Sequence, residues 1–242
     1  MIGQKLILLD EVDSTNNYAA KLLNEGNLAH GTVILAEKQT AGKGQRGNSW
    51  SSGAENQLSC SVYAETAFLS ADRYWYLNLA VAIAVYHTIN SSVPREDVRI
   101  KWPNDVLVND KKLSGILIET HWRSGAIQGA IIGVGINVNR ERNLPGSAAL
   151  NDFTVENRRP VQLAQTLCQY LSGEFARLTE GKWNDLLSDY HRFLWKKDEL
   201  TETTAGEKMI GTIRGIDGNG DLLFEGNGTL RAFGLKEISF SY

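Results

Sequence analysis

Cysteine and proline are scarce in this chain, with two cysteines and four prolines in 242 residues. Cys60 and Cys168 lie far apart without a C-x-x-C pair, which argues against a disulfide framework or a zinc knuckle and fits a reducing, cytoplasmic compartment. Charge of one sign is also missing: 25 Lys and Arg stand against 28 Asp and Glu, a net charge of -3 without long like-charge blocks. That balance offers no electrostatic case for a dedicated nucleic-acid or anionic-membrane binder. The longest uncharged stretch, residues 74–94, is interrupted by Asn78, His87, Thr88, Asn90, Ser91 and Ser92, so it reads as a buried helix and not a membrane span. Met1-Ile2-Gly3-Gln4-Lys5 leads straight into an apolar strand without the features of a secretory signal, and no export is expected.

Hydrophobic residues make up 42% of the chain, enough for a full core in one large domain, alone or with a small module. Alternation and turn chemistry predict strands over 5–10, 32–37 and 57–63, with Asp13-Ser14-Thr15-Asn16 capping a helix that closes near Gly26. A helix starting at Ser70 would put Leu77, Ala80, Val81, Ala84 and Val85 on one face. Runs at 98–102 and 106–108, the Asn109-Asp110 turn and a strand over 113–119 read as a hairpin. A long strand over 127–138 contains Gly129, Gly133 and Gly135, and a polar connection over 140–157 leads to helices over 161–179 and 183–193. Short β runs at 209–216, 221–224 and 229–233 follow, split by the turn at 217–220. They place a module boundary near 195–205 and predict an α+β fold over 1–195, with a small barrel over 196–242.

Chemistry concentrates in Lys101-Trp102-Pro103-Asn104-Asp105 and in Lys111-Lys112-Leu113-Ser114-Gly115 just beyond it. By itself such a charged hairpin reads as solvent-facing; with Ser114 and Gly115 letting another group approach the backbone, a lysine just before the strand can instead aim its ammonium at an anion. Gly42-Lys43-Gly44-Gln45-Arg46-Gly47 satisfies G-x-G-x-x-G, but turn residues follow where the dinucleotide fingerprint opens a helix, so that reading is rejected. Lys43 and Arg46 among glycines still suit a carboxylate or phosphate. Ser14, Thr15 and Asn16, read singly as helix capping, and Gln39 can bind a ureido or amide group, and Trp50 and Trp102 are core aromatics or walls of an apolar pocket.

In order and spacing, D-S-T-N at 13–16, A-E-K-Q-T-A-G at 36–42, G-K-G-Q-R-G-N-S-W at 42–50, K-W-P-N-D at 101–105, K-L-S-G-I-L-I-E at 112–119 and G-V-G-I-N-V at 133–138 resemble the biotin–protein ligases. The resemblance implies a class II synthetase-like catalytic domain with a mixed or antiparallel sheet, followed by an SH3-like module. It implies that biotin and MgATP form biotinyl-5′-adenylate, with no metal site borne by the protein, and that a lysine of a biotin carboxyl carrier protein then attacks it. Carried over by position, Ser14, Thr15, Asn16 and Gln39 would hold the biotin rings, Lys43, Gly44 and Gln45 would cover its carboxylate, and Gly115 and Leu117 would add backbone contacts. Lys112 would be the chief catalytic residue, with Asp105 assisting, and Lys43, Arg46, Trp50, Asn104, Lys112 and Asn137 would meet ATP or the adenylate. Many members carry arginine where this chain has Gln45, which predicts a less tightly held intermediate. No helix-turn-helix precedes the first strand, so no DNA binding is expected; a monomer and a homodimer both remain open. A lipoate–protein ligase and a non-catalytic biotin sensor are the competing readings: the polar set at 14–16 and Gln39 argues against the first, and Lys112 against the second.

Overall fold

The computed structural model describes residues 1–50, 57–123, 126–139, 146–155 and 159–240, without the side chain of Arg46. Parts of the connection expected over 140–157 therefore lie outside the described residues. Strand β1 (Lys5–Val12), helix α1 (Thr15–Asn24) and strand β2 (Thr32–Gln39) form a crossover unit in which β1 runs parallel to β2. β3 (Gln57–Glu65), β4 (Val98–Lys101), β5 (Asp105–Val108), β6 (Lys111–Arg123) and β7 (Ala126–Asn137) join them by antiparallel pairing. The seven-stranded order is β1-β2-β3-β7-β6-β5-β4, a mixed sheet with one parallel pair.

Strand alternation decides what each face of this sheet does. Leu58, Cys60 and Val62 of β3, Ile116 of β6 and Ile132, Val134 and Ile136 of β7 belong to the main core. Helices α2 (Trp75–Asn90), α3 (Pro160–Thr179) and α4 (Trp183–Phe193) complete that core. Residues 79–85 of α2 are buried without a break, so this helix is enclosed on all sides, which explains why its sequence carries no polar face. It starts at Trp75, later than Ser70, because a short 3-10 turn, Ala71–Arg73, occupies the intervening chain. α1 covers the opposite face through a smaller core of Ala19, Ile34, Tyr63 and Ile131. Gly115, Gly133 and Gly135 alternate with main-core residues and so belong to α1's face, where missing side chains leave room above the sheet.

The tail forms a second, antiparallel sheet of the SH3-like kind from β8 (Leu200–Ala205), β9 (Glu207–Ile216), β10 (Leu222–Gly226) and β11 (Thr229–Phe233), in the order β11-β10-β9-β8. β8 has no counterpart among the predicted strands, because its inward positions are the polar Thr201 and Thr203. The tail meets the large sheet where Trp102 Nε1 donates to the Gly220 carbonyl at 2.9 Å and Lys101 Nζ donates to the Phe240 carbonyl at 3.2 Å. No helix among the described residues is long and apolar enough to cross a membrane.

Candidate active site

A cavity of about 380 Å³ opens on α1's face of the sheet, a size typical of small-molecule sites. It gathers three chemically distinct groups of side chains.

The first is polar and internally bonded. Ser14 holds the N-cap position of α1, yet its side chain makes no capping bond and lines the cavity. Plain capping is therefore not what its hydroxyl does. The Thr15 backbone N–H and hydroxyl both donate to Gln39 Oε1, at 2.8 and 3.1 Å. Ser61, from the neighbouring β3, donates to Thr15 Oγ1 at 2.7 Å and Asn16 Oδ1 at 2.5 Å, while Asn16 Nδ2 donates to Glu119 Oε2 at 2.7 Å. Gly133 makes room for this group: a Cβ there would sit 2.5 Å from Asn16 Oδ1.

The second group is charged. Lys112 Nζ pairs with Asp105 Oδ1 at 2.7 Å. Lys112 lies inside β6, and not ahead of a strand as its sequence suggested. The β5–β6 register shifts so that Val106 faces Ser114 and Leu107 faces Lys112, leaving Leu113 as the extra residue; such a bulge re-aims the neighbouring side chains. The Lys112 backbone is also held by Gly146 and Ala148, at 2.8 and 2.9 Å. Asn104 lines the cavity and is pinned to β6, its carbonyl accepting from the Ile116 N–H and its side-chain amide donating to the Ile116 carbonyl, each at 2.9 Å. Lys101 is buried at 7% exposure beside these residues, 5.2 Å from the Trp195 ring centroid. Burial lowers its pKa to about 8, with Asp105 opposing that shift and Lys112 and Lys196 adding to it.

The third group is the glycine loop. Gly44 N–H donates to the Asn48 carbonyl at 2.7 Å and Trp50 N–H to the Gly42 carbonyl at 2.8 Å, folding the loop back on itself around a 3-10 turn at Gln45–Gly47. Among the described residues no α-helix opens from it, in keeping with the rejected dinucleotide reading. Lys43, Gly44 and Gln45 line the cavity. Trp50 lies across Gly115 and Gly135, where Cβ atoms would come within 3.0 and 2.3 Å of the indole, and Lys112 Nζ stands 5.9 Å from its ring centroid. The Trp50 Nε1–H is buried and finds no acceptor among the described residues.

Gly115 and Leu117 also line the cavity. Asn137 is not among its lining residues; at the end of β7 its side chain donates to the Ala148 carbonyl at 2.9 Å. Sequence reasoning gave no site role to Lys101, nor to Ser61 and Glu119, which hold Asn16 from outside the cavity, and it missed Lys236, Ile238, Ser239 and Phe240 of the tail, which wall it. Lys101 and Glu119 fall inside recognised motifs, whereas the tail residues carried no signal because only the folded chain brings them over the sheet.

A mixed sheet with a glycine-floored trough and a small antiparallel sheet across one end is the fold of the biotin protein ligases. The biotin protein ligase from Aquifex aeolicus in complex with biotin and ATP matches with a TM-score of 0.81 over 98% of each chain, at 24% identity. The family description "Biotin/lipoate A/B protein ligase family" matches residues 8–137, and the chain belongs to that family. A biotin–[acetyl-CoA-carboxylase] ligase of Mycobacterium tuberculosis is 31% identical over 229 residues, 91% of this chain and 84% of the relative. A bifunctional ligase/repressor of Bacillus subtilis, BirA, is 31% identical over 247 residues, 94% of this chain and 71% of the relative.

Proposed function

We propose that this protein is a biotin–protein ligase that joins biotin to a lysine of a biotin carboxyl carrier protein at the expense of ATP. The observation that carries the reading is the Lys112–Asp105 pair at 2.7 Å in one cavity with the polar group of Ser14, Thr15, Asn16 and Gln39. Biotin carries a ureido group at one end and a carboxylate at the other, and the cavity offers partners for both. In the first step a carboxylate oxygen of biotin attacks the α-phosphorus of ATP, the bond to the bridging β-oxygen breaks, and pyrophosphate leaves. The Lys112 ammonium lies where it can offset the repulsion between carboxylate and phosphate and stabilise the charge of the transition state. In the second step the neutral amine of the carrier lysine attacks the acyl carbon, AMP leaves and the nitrogen gives up a proton.

Lys101 and Lys43 add positive charge for the nucleotide, and Trp50 supplies an indole N–H and an aromatic face. A magnesium ion would arrive with ATP, since this hard cation usually takes phosphate oxygens, waters and one or two carboxylates. Asp105 can supply one such carboxylate. Among the described residues there is no cluster of three or more His, Cys, Asp or Glu that could hold a metal alone. Residues 1–195 would form the catalytic part and 196–242 a module that closes one wall of the site, in a cytoplasmic enzyme. Lipoate, whose dithiolane offers no matching donors and acceptors, would leave the bonding capacity this group turns toward the cavity without a ligand partner. Pyrophosphate exchange into ATP that depends on biotin and not on lipoate tests the assignment; exchange with lipoate alone would overturn it.

A further inference from the structure

We propose that Glu119 and Ser61 are positioning residues that fix which way the Asn16 amide faces biotin, an inference that rests on the biotin reading above. An asparagine amide has a donor end and an acceptor end, and only its neighbours decide which end goes where. Here the neighbours leave one choice. The Glu119 carboxylate can only accept, so its 2.7 Å contact with Asn16 is a bond only when Nδ2 faces it. Reversing the amide would set two acceptor oxygens against each other. At the other end Asn16 Oδ1 lies 2.5 Å from the Ser61 hydroxyl, a fully buried group whose one hydrogen is shared between Oδ1 and Thr15 Oγ1, the Thr15 hydrogen going to Gln39.

With its amide held this way, Asn16 keeps one Nδ2–H and one Oδ1 lone pair for the cavity it lines. A cyclic urea presents one carbonyl acceptor between two N–H donors, and that remaining pair on Asn16 is its complement. Neither Ser61 nor Glu119 lines this cavity; Glu119 borders a neighbouring depression beside the glycine loop. Their influence on biotin therefore runs through Asn16. The opening at Gly133 is the third part of the arrangement, since a side chain there would occupy the place of Oδ1.

Direct calorimetric binding of biotin to the full chain tests this in a double-mutant cycle of Asn16→Ala, Glu119→Gln and the pair. Glutamine keeps the size of Glu119 but can donate as well as accept, so it removes the enforced orientation. Glu119→Gln should weaken biotin binding on the order of tenfold, while a non-hydrolysable ATP analogue binds within about twofold of the parent. The double variant should be no weaker than Asn16→Ala alone by more than about twofold, since residues acting through one another do not add. Ser61→Ala, taken through the same cycle with Asn16→Ala, should behave alike and carries the test if Glu119→Gln does not fold. Losses that multiply in the double variants, unchanged biotin affinity in Glu119→Gln and Ser61→Ala, or equal losses for biotin and the ATP analogue would each overturn the inference. Absence of biotin binding by the parent chain would instead overturn the ligase reading, and this inference with it.

Discussion

Replacing Gly133 by alanine adds one methyl group at the point where the sheet makes room for Asn16. The new Cβ would stand 2.5 Å from Asn16 Oδ1 and 3.1 Å from both Cγ and Nδ2. Ordinary contact begins near 3.4 Å, so the amide must retreat by about 0.9 Å. Asn16 sits in the first turn of α1 and is buried at 3% exposure, which leaves little freedom to retreat without breaking its bond to Ser61 or to Glu119. Losing one such bond, the second to a charged group, is worth roughly 1–3 kcal/mol, or about five- to 150-fold in biotin affinity. Gly129→Ala is the control, because a Cβ there meets the Tyr63 ring at 2.8 Å on the same strand but away from the site. Both variants should lower the unfolding midpoint, and only Gly133→Ala should weaken biotin binding by calorimetry. Biotin binding in Gly133→Ala within twofold of the parent, or an equal loss in Gly129→Ala, would refute the reasoning.

Three further outcomes are expected. Because the Lys101 ammonium has a pKa lowered to about 8, its charge is present below that pH and lost above it; kcat/KM for ATP should fall between about pH 7 and 9. Lys101→Arg should move that fall to higher pH, and an unchanged profile would count against a role for Lys101 with the nucleotide. The same shift makes folded Lys101 bind fewer protons than unfolded lysine from about 8 up to its ordinary 10.5, so parent stability should rise relative to Lys101→Met across that window. Gln45→Arg, which places a guanidinium in the loop lining the cavity, should slow release of the biotinyl adenylate by about tenfold in a filter-retention assay; equal release from parent and variant would show that position 45 does not govern retention.

Local signals located most of the site and little of its assembly. The strands expected over 113–119 and 127–138 correspond to β6 and β7, and their glycines hinted at close approach, but what approaches was hidden. Trp50 and Asn16 come from distant segments, and only the stacking of α1 and the glycine loop on one face puts them over Gly135 and Gly133. Lys112 was singled out by its motif, whereas its place within β6 depends on a register shift that periodicity does not reveal. Lys101 stood in the stretch where chemistry concentrates but received no role of its own, because its burial comes from Trp195 and Phe240, more than ninety residues away. β8 escaped notice since buried threonines, and not apolar residues, mark its inward face. Ser61 was passed over for a related reason: in a strand that also carries Gln57 and Ser59, a serine carries no message until its partners are known.

The central claim is that the Lys112 ammonium activates biotin in this cavity. Incubating the full chain with labelled biotin, ATP, magnesium and a biotin carboxyl carrier domain, beside Lys112→Ala, and probing the carrier for biotinyl-lysine tests it most directly. The account predicts stable transfer by the parent and a loss of about a hundredfold or more in Lys112→Ala, with the variant still folded. No transfer by the parent, or equal transfer by both proteins, would contradict it.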